Sequence, residues 1–340
     1  MLAEELEKLS NLSEDLGKNL DLIQGAGGNT SVKVDEALWV KASGSWLSEA
    51  NEKNIFIPVN YKGVIKRLEN GNSDPVTEEV INTHKTKTLR PSIETTLHAV
   101  MPQKYVVHTH SVNSIVNTIA RSYRSELEVK LDGLNWGLAE YAKPGLPITE
   151  VVRKVASTGA DVILLANHGI VIASNDMDKL YKKINEVEKR LYRPLRPIEK
   201  KIGHSQISSL IFDTEYMLPK YEIVHSLALD EDIINSISYR SLYPDHVVFV
   251  GPGPMTVLNK EEGKEFISSA NDKAIVIKDV GVVVNKNSSN NIDGMLHCLA
   301  NTLLRIQPNE KLYYLSEQDE LDLLGWDAEK YRQSIQKNRG

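Results

Sequence analysis

Leucines at positions 2, 6, 9, 12, 16 and 20 recur at helical spacing, so the chain opens with an amphipathic helix over 2–22. Glycines 25, 27 and 28 break it, and Ser31-Val32-Lys33-Val34 then alternates as a strand. A second strand follows over 37–43, and Ser43-Gly44-Ser45 makes a turn, so the pair reads as a hairpin. Ser92 opens a helix through about Met101, with Ile93, Leu97 and Val100 as its apolar stripe. The run Lys104-Tyr105-Val106-Val107-His108-Thr109-His110 is a strand, and Ser111 starts a helix burying Val112, Ile115, Val116 and Ile119. Two further strands flank Asn167-His168-Gly169, and Asp176–Arg190 is a charged amphipathic helix. Residues 191–201 carry two prolines and several charges and read as an interdomain linker. Beyond it, 243–254 and 273–285 are expected strands and 292–306 a helix.

At 340 residues the chain is long enough for about two domains, divided here as 1–195 and 196–340. The composition is that of an ordinary globular protein, and a net charge of −6 offers no electrostatic attraction to nucleic acid or an acidic membrane. No apolar stretch is long enough to span a bilayer, and the acidic N-terminus does not read as a signal peptide. The one cysteine, Cys298, excludes an intrachain disulfide framework and a multi-cysteine zinc ribbon, and fits a reducing cytoplasm.

Candidate chemistry gathers at strand ends. Residues i and i+2 of a strand project to one face, so His108 and His110 stand side by side, and His168 can complete a facial set for one divalent metal. Glu94 lies near the start of its helix, as a macrodipole-favoured carboxylate or as a general acid/base beside the metal. His98, four residues on, reads as a packing or supporting histidine. His84, His204, His225, His246 and His297 have no patterned partners and read as structural.

The glycine loop resembles a dinucleotide fingerprint in composition only. That fingerprint follows a strand and opens a helix, whereas here a helix precedes and a strand follows. The better reading is an anion pocket of backbone N–H groups at Gly28, with Asn29 and nearby hydroxyls. Ser43, Gly44 and Ser92 sit at turns or helix starts and are expected to offer free N–H donors to the same anion.

One internal likeness stands out. The strand-turn-strand-helix around Asn167-His168-Gly169 resembles that around Asp279-Val280-Gly281, and the 102–110 segment resembles 244–251. Either the chain contains a duplicated α/β domain whose later copy lost its metal residues, or two unrelated units look alike.

Taken together, GAGGNTSVK, WVKASG, RPSIETTLHA, VVHTHS and NHGIVI resemble the class II aldolase/adducin family over roughly residues 1–190. The stretch RPSIETTLHAVMP with the C-terminal extension is most similar to the aldolase portion of aldolase/short-chain dehydrogenase fusions, and no dehydrogenase segment is expected within these 340 residues. The resemblance implies an α/β fold of three layers with a mostly antiparallel central sheet. It also implies a catalytic zinc on His108, His110 and His168, with Glu94 as acid/base and further ligand. Manganese, iron or cobalt suit the same ligands. It implies a phosphate pocket from Gly28, Asn29, Ser43, Gly44 and Ser92, a catalytic tyrosine for which Tyr141 is the nearest candidate, and a homotetramer. The implied reaction is cleavage of a ketose or ketose 1-phosphate to a dihydroxyacetone-type fragment and an aldehyde through a metal-stabilised enediolate. Epimerisation or dehydration of a sugar phosphate, and a non-catalytic adducin-like interaction module, are the rival readings. The epimerases typically carry Asp where this chain has Glu94, and the aldolases a second serine where it has Ile93. A separate dehydrogenase consuming the aldehyde is an expected partner.

Overall fold

The computed structural model describes residues 2–81, 89–267, 269–288 and 291–325. His84 lies outside the described residues. The chain divides into two compact units, Met1–Thr118 with Ser125–Tyr192, and Ile119–Arg124 with Arg193–Gly340. No helix among the described residues is long and apolar enough to cross a membrane.

The first unit is built on a seven-stranded sheet of β1 (Asn29–Val34), β2 (Ala37–Lys41), β3 (Phe56–Asn60), β4 (Tyr105–Thr109), β5 (Trp136–Ala139), β6 (Val162–Leu165) and β7 (Gly169–Ser174). The spatial order is β3-β2-β1-β4-β7-β6-β5. Every neighbouring pair is antiparallel except β5 and β6, which run parallel. The helices are α1 (Leu2–Gly17), α2 (Tyr61–Glu69), α3 (Thr95–Val100), α4 (Val112–Ile119), α5 (Arg121–Arg124, in the second unit), α6 (Leu127–Lys130), α7 (Leu146–Ala156) and α8 (Met177–Leu191).

Alternation along the strands sorts the core into layers. Tyr105, Val107, Val162, Leu164, Ile170 and Ile172 pack with Leu9, Leu12 and Leu16 of α1 and Leu180, Ile184 and Val187 of α8. The intervening residues Val106, Ile163, Val171 and Ala173 face the other way, onto Leu97 of α3 and Ile148 and Val152 of α7. Helices on both faces of a mostly antiparallel sheet give the three-layer α/β architecture expected from the resemblance. The helix expected from Ser92 begins later, at Thr95. Residues 92–94 form a turn in which the Ser92 hydroxyl accepts from the Glu94 N–H at 3.2 Å, and Glu94 occupies the N-cap position.

The second unit carries a four-stranded sheet in the order β8-β11-β10-β9, from β8 (Tyr216–Met217), β9 (Val257–Leu258), β10 (Ala274–Ile277) and β11 (Gly281–Asn285). Its further helices are α9 (His204–Leu210), α10 (Glu231–Ile237), α11 (Lys260–Phe266), α12 (Ile292–Leu304) and α13 (Glu317–Leu324), with a 3-10 helix over Glu222–Ala228. Segment 191–201 is less free than a linker composition suggests: the Arg193 guanidinium stacks on Tyr123, and Arg196 pairs with Asp230 at 2.8 Å.

One expected strand is absent. The apolar run within 243–254 is instead a π-helical turn over His246–Val250, closed by the Gly251 N–H donating to the His246 carbonyl at 3.0 Å. All five of its residues are buried. A short apolar run buried on every side has no period from which to separate strand from helix.

His246 accepts a hydrogen bond from the Leu242 N–H, and burial pushes its pKa from 6.5 to about 4. Burial likewise depresses His225 to about 4, with His204 adding to the effect. Below pH 6.5 the unfolded chain takes up protons that the folded chain refuses, so this stability is complete above 6.5 and is lost as pH falls toward 4. For His246 the loss amounts to about 3 kcal/mol. Urea midpoints measured between pH 7 and 4 should fall steeply for the parent protein and less steeply for His246→Asn; equal slopes would exclude His246 as a source.

Candidate metal centre

The centre lies at one end of the seven-stranded sheet. His108 and Val106 share the face of β4 that α3 covers, and His110 follows two residues on. His168 comes from the turn joining β6 to β7. Asn167 there adopts φ +57°, a left-handed conformation that asparagine tolerates better than most residues, and the His168 N–H closes onto the Leu165 carbonyl at 3.1 Å. Glycine follows because the turn presses on β4: a Cβ at Gly169 would sit 2.2 Å from the Thr109 carbonyl oxygen. Gly169→Ala should therefore cost about 1–3 kcal/mol and weaken metal retention by shifting His168. Unchanged thermal stability and metal content would refute this.

The three imidazoles form a near-equilateral set, with ring centroids 5.0, 4.9 and 5.0 Å apart. One nitrogen of each lies within 4.8 Å of the others, and all three residues are buried. His108 Nδ1 is 3.1 Å from the Ile170 carbonyl. A carbonyl can only accept, so Nδ1 carries the proton and Nε2 presents a lone pair.

Glu94 closes the set from above β4. Its Oε2 lies 3.5 Å from His108 Nε2 and its Oε1 lies 3.7 Å from His168 Nε2. The Asn29 amide donates to Oε2 at 2.8 Å. Asn29 is carried there by register, since it pairs with His108 across β1 and β4. Glu94 Oε1 and Asn29 Oδ1 are buried without a hydrogen-bond partner among the described residues. A buried carboxylate oxygen left without a donor needs a cation or a proton to be stable, and an imidazole–carboxylate set is one that first-row divalent ions accept. The residues therefore fit a divalent metal.

His98 does not join them. Its Nδ1 is 2.7 Å from the Ser31 hydroxyl, and complete burial holds its pKa well below the usual range, so it is a neutral packing histidine.

The glycine loop lies directly against the centre. A Cβ at Gly27 would come within 2.9 Å of His110 Nδ1, and one at Gly28, φ +62°, within 2.8 Å of the His108 carbonyl oxygen. Lys41, which the sequence reading passed over, underpins this loop. Its side chain is buried, and Nζ donates to the carbonyls of Ala26 at 2.7 Å and Ser45 at 3.0 Å. The available signal was a lysine inside the apolar run Leu38-Trp39-Val40 at a strand end. Lys41→Met strips several buried carbonyls of their donor. A loss of about 1–3 kcal/mol is expected, read as a lower thermal midpoint; no change would show that the loop holds itself.

The two serine turns meet at a bridge between Ala42 and Pro91. Their N–H groups are not free, contrary to expectation: Ser43 N–H donates to the Arg90 carbonyl at 2.8 Å and Ser92 N–H to the Lys41 carbonyl at 3.1 Å. Backbone pairing that joins the two turns consumes the donors. Gly44, φ +75°, lies just past this bridge. Tyr141 follows β5, whose last residue, Ala139, is opposite Leu165. It thus emerges at the sheet end from which the His168 turn also leaves.

Fold and site together define an α/β protein in which three buried histidines, with a buried carboxylate beside them, could hold a metal ion. The profile of the class II aldolase and adducin N-terminal domain matches residues 7–192, and the chain belongs to that family. An uncharacterized oxidoreductase, YuxG, of Bacillus subtilis is 28% identical over 193 residues, which are 53% of this chain and 27% of that protein. The chain thus corresponds to little more than a quarter of that relative. An L-fuculose phosphate aldolase of Methanococcus vannielii is 28% identical over 171 residues, 49% of this chain and 82% of the relative. Among solved structures, the N-terminal class II aldolase domain of a conserved Thermoplasma acidophilum protein shares 24% identity over 55% of this chain and 91% of that one, with a TM-score of 0.46. An L-fuculose 1-phosphate aldolase shares 20% over 55% and 82%, with a TM-score of 0.40.

Proposed function

We propose that the protein is a metal-dependent aldolase, cleaving a ketose or ketose 1-phosphate to a dihydroxyacetone-type fragment and an aldehyde. The observation that carries this reading is the closure of Glu94 over the three buried imidazoles, at 3.5 and 3.7 Å. His108, His110 and His168 hold the divalent ion, for which zinc is the assignment that best suits three imidazoles. When bound, the ion supplies Lewis acidity at the substrate carbonyl.

Glu94 moves the proton at the carbon that gains electron density, and the Asn29 amide fixes which carboxylate oxygen is held and which is presented. Gly28, Asn29, Ser43, Gly44 and Ser92 receive the phosphate when there is one. With the Ser43 and Ser92 N–H groups engaged, these two residues act through their hydroxyls. Ile93 offers no hydroxyl beside Ser92, so phosphate affinity is lower than that of a site with two serines. Tyr141 is the candidate for the catalytic phenol. A homotetramer, and a separate dehydrogenase that consumes the aldehyde, complete the reading; the oxidoreductase name of the Bacillus relative supports the latter.

The test is a retro-aldol assay of metal-loaded protein on a panel of ketoses and ketose 1-phosphates, following aldehyde release. Turnover that disappears on chelation and returns with zinc is expected. A fully loaded protein inert on the whole panel would instead favour a binding module.

A further inference from the structure

The second unit repeats half of the first, strand for strand. The order β8-β11-β10-β9 matches β4-β7-β6-β5, and the senses match too: the last two strands are parallel in each, the others antiparallel. Registers coincide. Leu165 opposite Gly169 corresponds to Ile277 opposite Gly281. Leu138 opposite Leu164 corresponds to Val257 opposite Val276. Val107 opposite Ile172 corresponds to Met217 opposite Val284.

Irregular details recur where chance would not put them. Asn167 has φ +57° and Asp279 φ +60°, each two residues before the glycine of its hairpin. The His168 N–H meets the Leu165 carbonyl at 3.1 Å, and the Val280 N–H meets that of Ile277 at 3.0 Å. Ala166 to Ala139, 2.9 Å, is matched by Lys278 to Leu258, 2.8 Å; Ala173 to Asp161, 2.8 Å, by Asn285 to Lys273, 3.0 Å. The connections agree as well. A helix separates the two parallel strands in each unit, α7 and α11, and another follows the hairpin, α8 and α12. After β4 comes α4, and after β8 the 3-10 helix Glu222–Ala228.

We infer that residues 216–304 are a second copy of the histidine-bearing half of the first unit, in which the three histidine positions are taken by residues that do not ligate a metal. The pairing differs from the sequence likeness: β8, not the buried turn at 246–250, stands where β4 stands. Carrying the register forward places Leu218 at the position of His108, Lys220 at that of His110 and Val280 at that of His168. None of the three is a ligand for a first-row ion in this setting. Val280 is buried in an apolar cluster with Ile207, Ile277 and Val283. His225 also turns its Nδ1 to the Val282 N–H at 3.0 Å, so that ring is spent on the hairpin backbone. The copy keeps the frame of the centre and, among the described residues, lacks its donors. This inference rests on backbone register and is independent of which reaction the first unit performs.

Cobalt(II) is the probe, because its visible absorption reports imidazole coordination. The parent protein should bind about one equivalent. The triple variant Leu218→His, Lys220→His, Val280→His should gain a further equivalent that survives His108→Ala. A parent that binds two equivalents, or a folded triple variant with no added cobalt, would overturn the inference. A parent that binds none would count against the proposed function and leave the copied frame standing. Should the triple variant fail to fold, amide hydrogen exchange of the parent decides. Lys278, Val280 and Asn285 should be protected in step with one another, as Ala166, His168 and Ala173 are in the first unit. Free exchange at those three amides would sink the copy.

Discussion

Alanine at His108 is expected to empty the centre and abolish the proposed lyase activity, the largest effect expected of any single substitution in this chain. His108 is fully buried, its Nδ1 is engaged by the Ile170 carbonyl, and its Nε2 faces Glu94 Oε2 at 3.5 Å. Two remaining imidazoles and the Glu94 carboxylate make a much weaker site than the full set. Metal analysis after dialysis should fall from about one equivalent to none. The same loss has a thermodynamic face. An ion present at a thousand times its Kd stabilises the folded chain by about 4 kcal/mol, and chelation of the parent should lower Tm accordingly. His108→Ala should show the lower Tm with or without chelator. His98→Asn is the matched control: His98 is equally buried, bonds the Ser31 hydroxyl rather than the triad, and the variant should keep its metal. Retention of a full equivalent by His108→Ala would rule out this triad as the binding site.

Glutamine at Glu94 should separate proton transfer from metal binding. The side chain is the same size, still accepts from Asn29, and cannot act as a base. Loss of a positioned acid/base typically costs about 10²–10⁴ in kcat. The metal content should persist, since three imidazoles remain. A KM change without a kcat change would reassign Glu94 to substrate binding. An unchanged kcat would remove it from the chemistry altogether. Asn29→Ala is expected to give a smaller loss in the same direction, because the carboxylate then loses the amide that aims it.

The strand pairs around the histidines were legible because period-2 alternation and turn residues agree there. Val106 and Val107 go to opposite faces, and Asn-His-Gly supplies the left-handed turn that the β6–β7 hairpin needs. The triad was legible for the same reason: i and i+2 on one strand, plus a histidine in the turn that opens the neighbouring strand. What the pattern could not convey was how long-range pairing spends polar groups. Nothing local indicates that the Ser43 and Ser92 N–H groups bond across the Ala42–Pro91 bridge, or that Lys41 turns inward to hold loop carbonyls. The 246–250 turn was misread because a run buried on all sides has lost the polar face that betrays its period.

The pairing of Asn29 with His108 makes the chemistry sensitive to chain length at a distance from any catalytic atom. Successive residues of β1 point to opposite sides, so removing or adding a single residue between Gln24 and Gly28 would bring Thr30 or Gly28 opposite His108 and turn the amide away from Glu94. The turn at Asn70–Ser73, exposed and outside the sheet, carries no such constraint. Indels should therefore be silent in the one place and inactivating in the other.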